Sequence, residues 1–232
     1  MTGASPETAG PAGTPAGFPR GQLLFYRFVR NVLVGFCRLY WRQRTEGTEH
    51  VPDGPFVLAP VHRSNIDTPV VCAVTKRRMR FMGKETVWKY RLPAWVLNAL
   101  GGFPVRRGHA DREALRRCLE VLEGGEPLVL FPEGSRQSGP LVQPLFEGAA
   151  YLATRTGAPI VPVGIGGPER AMPKGSKMLR PVKVHVVIGE PIHPDAVGPS
   201  GRASRKAVHQ LSERLRQELQ RLFDEAQAKA GA

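Results

Sequence analysis

Residues 55–67 read Pro55-Phe56-Val57-Leu58-Ala59-Pro60-Val61-His62-Arg63-Ser64-Asn65-Ile66-Asp67. Residues 55–60 are a short apolar run bounded by prolines, the pattern of a buried strand. A polar turn follows, and residues 68–75 are again apolar and open a helix. The same alternation recurs along the chain. Residues 79–83, 127–131, 159–165 and 182–188 read as strands, and 92–100, 111–123 and 145–155 as helices. The helix over 111–123 is the clearest: Leu115, Leu119 and Leu122 share a face, Asp111 is placed to cap it, and Gly124-Gly125 ends it. Strands alternating with helices predict an α/β domain, a mostly parallel central sheet flanked by helices.

The flanks differ from this core. Residues 1–22 are rich in Gly, Pro, Ala and Thr and read as a disordered tail, without the charged start and apolar run of a signal peptide. Residues 23–41 read LLFYRFVRNVLVGFCRLYW. As a helix this stretch would be about 28 Å long, near bilayer thickness. Arg27, Arg30 and Arg38 interrupt it, and each arginine at a bilayer centre costs roughly 2.5–3.5 kcal/mol. A membrane-associating, interfacial helix over 23–45 is therefore expected ahead of a true span, with packing on the protein's own core as the alternative. The domain proper takes 46–200. Residues 201–232 hold a C-terminal amphipathic helix, with Val208, Leu211, Leu215, Leu219 and Leu222 on one face.

The 232 residues are 41% hydrophobic and 23% charged, enough for one core without disulfides. Cys37, Cys72 and Cys118 are widely spaced and odd in number, which argues against a disulfide framework or a zinc site and favours a reducing compartment. No metal site is expected. Lys and Arg number 33 against 20 Asp and Glu, a net charge of +13. That balance favours polyanionic partners: nucleic acid, anionic lipid or phosphorylated substrates. No nucleic-acid motif of recognised type is present, so nucleic acid is not an expected partner.

Four clusters carry chemistry. In the first, His62 is a general-base candidate and Asp67 can fix its tautomer across the strand-to-helix turn. Such a pair alone is most often structural, and no nucleophile elbow supports a serine mechanism. The second, Gly101 to Gly108, sets Gly102 and Pro104 before Arg106 and Arg107, whose guanidinium forks suit phosphate. The third is Phe131-Pro132-Glu133-Gly134-Ser135-Arg136, at the carboxyl end of a strand, where α/β sheets place ligands; Glu133 and Arg136 are positioned to pair with each other or to serve a substrate. The fourth is Val161-Pro162-Val163.

In this order the four clusters resemble the glycerolipid acyltransferase family, of the type that acylates lysophosphatidic acid. Its N-H-x-S-x-x-D block is matched by His62, Ser64 and Asp67; its glycine–proline–arginine block by Gly102, Pro104 and Arg106; its F-P-E-G-x-R block by Phe131 to Arg136; and its V-P-V strand by Val161 to Val163. Val61 stands where an Asn is common, which touches a supporting hydrogen bond and leaves the base in place. Glu147 stands where a Lys is common.

The resemblance implies a glycerol-3-phosphate acyltransferase-like fold. It also implies acyl transfer from an acyl thioester, on coenzyme A or acyl carrier protein, to the free hydroxyl of lysophosphatidic acid, without cofactor or metal. His62 would be the base and Asp67 its partner. Arg106, then Arg136, then Lys84 would bind phosphate. Glu133, Gly134, Ser135, Gly102 and Pro104 would order loops or contact substrate, and Ser64 with Asn65 would hold the turn. Work on anionic lipid at the cytoplasmic face of the cell membrane, as a peripheral or monotopic protein, would follow. The rivals are the same chemistry on glycerol 3-phosphate, another lysophospholipid or a lipid-linked sugar, and, more remotely, a non-enzymatic basic protein binding membrane or nucleic acid.

Overall fold

The computed structural model describes residues 20–105, 112–176, 178–195 and 204–231. Helix α1 spans Arg20–Tyr40 and leads into β1 (Arg44–Glu46), a 3-10 turn (Thr48–His50) and β2 (Val57–Pro60). Then come α2 (Asp67–Val71), β3 (Arg80–Lys84), a second 3-10 turn (Glu85–Lys89), α3 (Arg91–Ala99), β4 (Gly102–Val105), α4 (Arg112–Glu123) and β5 (Leu128–Val129). The chain closes with α5 (Gly148–Thr156), β6 (Ile160–Gly166), α6 (Pro168–Ala171), β7 (His185–Ile188) and α7 (Arg205–Ala230).

The strands form one seven-stranded sheet in the order β1-β7-β6-β2-β5-β3-β4. Every pairing is parallel except β6 with β7. The expected α/β architecture is therefore present. β2 lies mid-sheet and all four of its residues are buried. The parallel strands end on one edge, so the turns after β2 and β5 emerge side by side.

Some elements differ from expectation. The stretch before Arg106, given no strand assignment above, is strand β4. Pro104 lacks an N–H to donate, and an edge strand paired only with β3 tolerates that. β1 is three residues long, too short to leave a sequence pattern. The helix expected from residue 145 begins at Gly148, because the Phe146 amide bonds outward to the Pro132 carbonyl. Residues 20–22, assigned above to the tail, form the first turn of α1, and the rest of that tail lies outside the described residues.

α1 resolves into two faces. Tyr26, Val34, Cys37 and Trp41 are buried against the domain. The Tyr26 hydroxyl donates to the Arg77 carbonyl, and Arg30 turns inward to the Thr75 carbonyl. Leu24, Phe28, Val32 and Leu39 stay exposed on the opposite face. Among the described residues no helix is long and apolar enough to cross a membrane.

α7 lies across β6 and β7 and buries Leu215, Leu219, Leu222, Phe223 and Ala226. Its backbone rests directly on β6, because a Cβ at Gly164 or Gly166 would collide with the Leu222 or Ala226 carbonyl. We expect Gly164→Val to lift α7 and lower stability by about 1–3 kcal/mol or more, read as the urea midpoint. An unchanged midpoint would show that the contact can slide at no cost.

Candidate active site

After β2 the chain turns sharply and α2 starts at Asp67. The Asp67 carboxylate is fully buried, and one oxygen, Oδ2, organises the turn. It accepts from His62 Nδ1 at 2.8 Å, from the Arg63 amide at 2.6 Å and from the Ser64 amide at 2.8 Å. A carboxylate only accepts, so the His62 proton sits on Nδ1 and Nε2 keeps its lone pair. Nε2 has no protein partner among the described residues. The Phe131 ring lies against the imidazole, with centroids 4.1 Å apart and planes 27° from parallel. Burial pushes the Asp67 carboxyl above its ordinary range, and the hydrogen bonds from His62 and from the Ser64 and Arg63 amides pull against that.

A second buried charge pair braces this turn. Arg63 Nη1 donates to Glu133 Oε1 at 2.8 Å and to Oε2 at 2.9 Å, with side chains 1% and 0% exposed. Glu133 Oε2 also accepts the His62 amide at 2.9 Å. Arg63 Nη2 reaches the Leu141 carbonyl, and its guanidinium lies 4.7 Å from the Phe223 ring of α7. Glu133 thus pairs with Arg63 and not with Arg136, which corrects the pairing considered from sequence. Arg63 was not singled out there; between His62 and Ser64 it carries no sequence signal of burial.

A cavity of about 340 Å³ opens beside His62. Phe81, Met82 and Val129 give it an apolar wall, and Ser135, Arg136 and Lys174 supply its polar side. Among the described residues neither Arg136 nor Lys174 has a carboxylate partner, so the cavity joins a base to uncompensated positive charge. Gly134 has φ 68° and its missing Cβ leaves room for the Phe146 ring, which lets the 133–136 turn close.

The other candidates are placed as follows. Ser64 holds the turn, its Oγ donating to the Met172 carbonyl at 2.8 Å. Asn65, expected at the turn with it, lines the cavity. Gly102 and Pro104 lie within β4, paired with Phe81 and Gly83, and do not line the cavity. Lys84 ends β3 opposite Val105. Arg106 and Arg107 lie outside the described residues. Glu147 pairs with His209 on the surface, away from the cavity. Lys174, unforeseen, joins the cavity from the segment after α6. A larger groove, about 790 Å³, runs between β7 and α7; it is lined by Glu46, Glu49, Glu218, Arg214 and Arg221 among others and contains none of the four clusters. Among the described residues no group of three His, Cys, Asp or Glu is placed to hold a metal.

These features have counterparts in known proteins. Residues 42–166 match the family model described as Acyltransferase. The chloroplast 1-acyl-sn-glycerol-3-phosphate acyltransferase of Brassica napus is 27% identical over 182 residues, 76% of this chain and 53% of that protein. The 1-acyl-sn-glycerol-3-phosphate acyltransferase of Bacillus subtilis is 27% identical over 170 residues, 72% of this chain and 82% of that one. The chain thus spans about half the length of the plant relative and most of the bacterial one. The crystal structure of the 1-acyl-sn-glycerophosphate acyltransferase PlsC from Thermotoga maritima superposes with a TM-score of 0.67 at 26% identity, over 89% of this chain and 87% of that chain. With the family model covering more than half of its residues, the His62 turn included, the chain belongs to the acyltransferase family.

Proposed function

We propose that this chain transfers a fatty acyl group from an acyl thioester to the free hydroxyl of lysophosphatidic acid, giving phosphatidic acid. The observation that carries this reading is His62, held by Asp67 in a cavity whose cations are not neutralised. His62 Nε2 takes the hydroxyl proton as the acceptor oxygen attacks the thioester carbonyl. The Asp67 carboxylate offsets the imidazolium that forms. The tetrahedral intermediate then expels the thiolate, the C–S bond breaks, and the imidazolium returns its proton to sulfur. General-base catalysis supplies about 10²–10⁴-fold, and holding the two substrates together supplies much of the rest.

Arg136 lines the cavity, which supports a role for its guanidinium fork in holding the acceptor phosphate. Arg106 and Lys84 join it on the family resemblance. The names of the relatives support the acceptor. The thiol carrier is coenzyme A or acyl carrier protein, both anionic and suited to a chain of net charge +13.

The substrate is a lipid, and α1 offers a surface for reaching it. Its outward face carries Leu24, Phe28, Val32 and Leu39, flanked by exposed Arg27 and Arg38. Trp95 of α3 packs against Phe25 and remains half exposed, and Tyr90 beside it is exposed. An apolar stripe with basic margins and interfacial aromatics suits the headgroup boundary of an anionic bilayer. This reading makes the chain a peripheral or monotopic protein of the cytoplasmic membrane face.

Thiol release by the purified chain, with lysophosphatidic acid and glycerol 3-phosphate compared as acceptors, tests the reaction. The expected result is preference for lysophosphatidic acid, and a loss of about 10²-fold or more in His62→Ala with the fold intact. Preference for glycerol 3-phosphate would overturn the acceptor, and persistent turnover in the variant would remove His62 as base. Leu24→Asp combined with Phe28→Asp is expected to lower co-sedimentation with phosphatidylglycerol vesicles by about tenfold or more, the scale of two apolar side chains kept in water. Unchanged binding would remove α1 as the docking face.

A further inference from the structure

We propose that the described parts of the segment joining α6 to β7, residues 172–176 and 178–183, form a second lipid-contacting element. Its exposed tip enters the same membrane surface as α1, and Lys174 near its start is a phosphate ligand in the His62 cavity. The proposal rests on the reading of the chain as a lysophosphatidic acid acyltransferase.

The segment is tied at both ends to parts already assigned. At its start, the Met172 carbonyl accepts the Ser64 hydroxyl at 2.8 Å, which fastens it to the catalytic turn. Two residues on, Lys174 lines the cavity with His62 and Arg136. Toward its end, Tyr40 Oη donates to the Leu179 carbonyl and Trp41 Nε1 to the Arg180 carbonyl, both at 3.1 Å. Tyr40 and Trp41 lie at the C-terminal end of α1, and the Tyr40 ring stacks on Phe36 with centroids 5.2 Å apart. The Arg180 amide bonds back to the Ala171 carbonyl, so the segment leaves and rejoins the domain as a closed loop.

What the loop shows to solvent is unusual for a connection. Met178 is 68% exposed and Leu179 40%. The Tyr40 hydroxyl that holds the Leu179 carbonyl belongs to the ring stacked on Phe36, itself exposed, and Leu39 beside Tyr40 in the chain is 85% exposed. Arg180 follows Leu179 directly, and Arg38 and Arg42 lie at the same end of α1; all three are exposed. Apolar tips set among arginines fit acyl chains under anionic headgroups. Lys174 and Met178 are four residues apart, about 14 Å at full extension. An acceptor drawn from the membrane surface that Met178 enters therefore has its phosphate within reach of Lys174.

Two presentations of the acceptor separate these roles: long-chain lysophosphatidic acid in phosphatidylglycerol vesicles, and a short-chain lysophosphatidic acid dissolved as monomer. Met178→Asp combined with Leu179→Asp is expected to lower the ratio of kcat/KM on vesicles to kcat/KM on monomer about tenfold, since only the vesicle arm needs insertion. Lys174→Ala is expected to raise KM about tenfold for both presentations with a smaller change in kcat, and Lys174→Arg to restore most of it. An unchanged ratio in the tip variant would overturn the membrane contact. An unchanged KM in Lys174→Ala, or no rescue by arginine, would overturn the phosphate contact. If the unaltered chain acylates neither acceptor, the functional reading falls with this one; if it acylates both, a failure in the variants belongs to the loop alone.

Discussion

One carboxylate oxygen, Asp67 Oδ2, receives three donors inside the protein, and the His62 turn takes its shape from that meeting. A buried ionised carboxylate is tolerated only where its charge is answered by hydrogen bonds and opposite charge. Here two backbone amides and one imidazole answer it. The amides fix the curvature of residues 62–64, and the curvature aims the imidazole. The same bond that holds the ring selects its tautomer, so position and chemistry come from one contact.

The Arg63–Glu133 pair extends this logic. Removing two charges from water costs several kcal/mol per ion, so such a pair adds little net stability, while removal of one partner costs about 3–5 kcal/mol. Its value lies in registration. Glu133 follows β5, Arg63 follows β2, and Phe223 belongs to α7; the pair sets all three against one another and adds a bond to the His62 amide. Adjacent parallel strands deliver both turns to one edge, where the His62 ring meets Phe131. The sheet thus converts two segments about 70 residues apart in sequence into one site.

Much of this was legible before any coordinates. Alternating strands and helices gave the architecture because their apolar periods are local. The His62–Asp67 pair was legible because both residues flank a single turn. Arg63 was not, since a charge between two polar neighbours looks solvated until a distant Glu133 is known to cover it. β4 drew no strand assignment because Gly102 and Pro104 are uncommon within strands; its edge position accommodates them. Lys174 gave no signal, for it reaches the cavity by tertiary folding alone. For α1 the core-helix reading accounts for one face, where Tyr26, Val34, Cys37 and Trp41 pack inward; Leu24, Phe28 and Leu39 are exposed on the other, the face on which the interfacial proposal rests.

The most direct measurement is the ¹⁵N spectrum of the histidine-labelled chain near neutral pH, with His62 assigned by substitution. The expected result is that the neutral form of the ring carries its proton at Nδ1, with Nε2 showing the unprotonated-nitrogen shift, and that this preference is lost in Asp67→Asn. A ring protonated at Nε2 in the unaltered chain would contradict the assignment of His62 as the base that Asp67 holds ready.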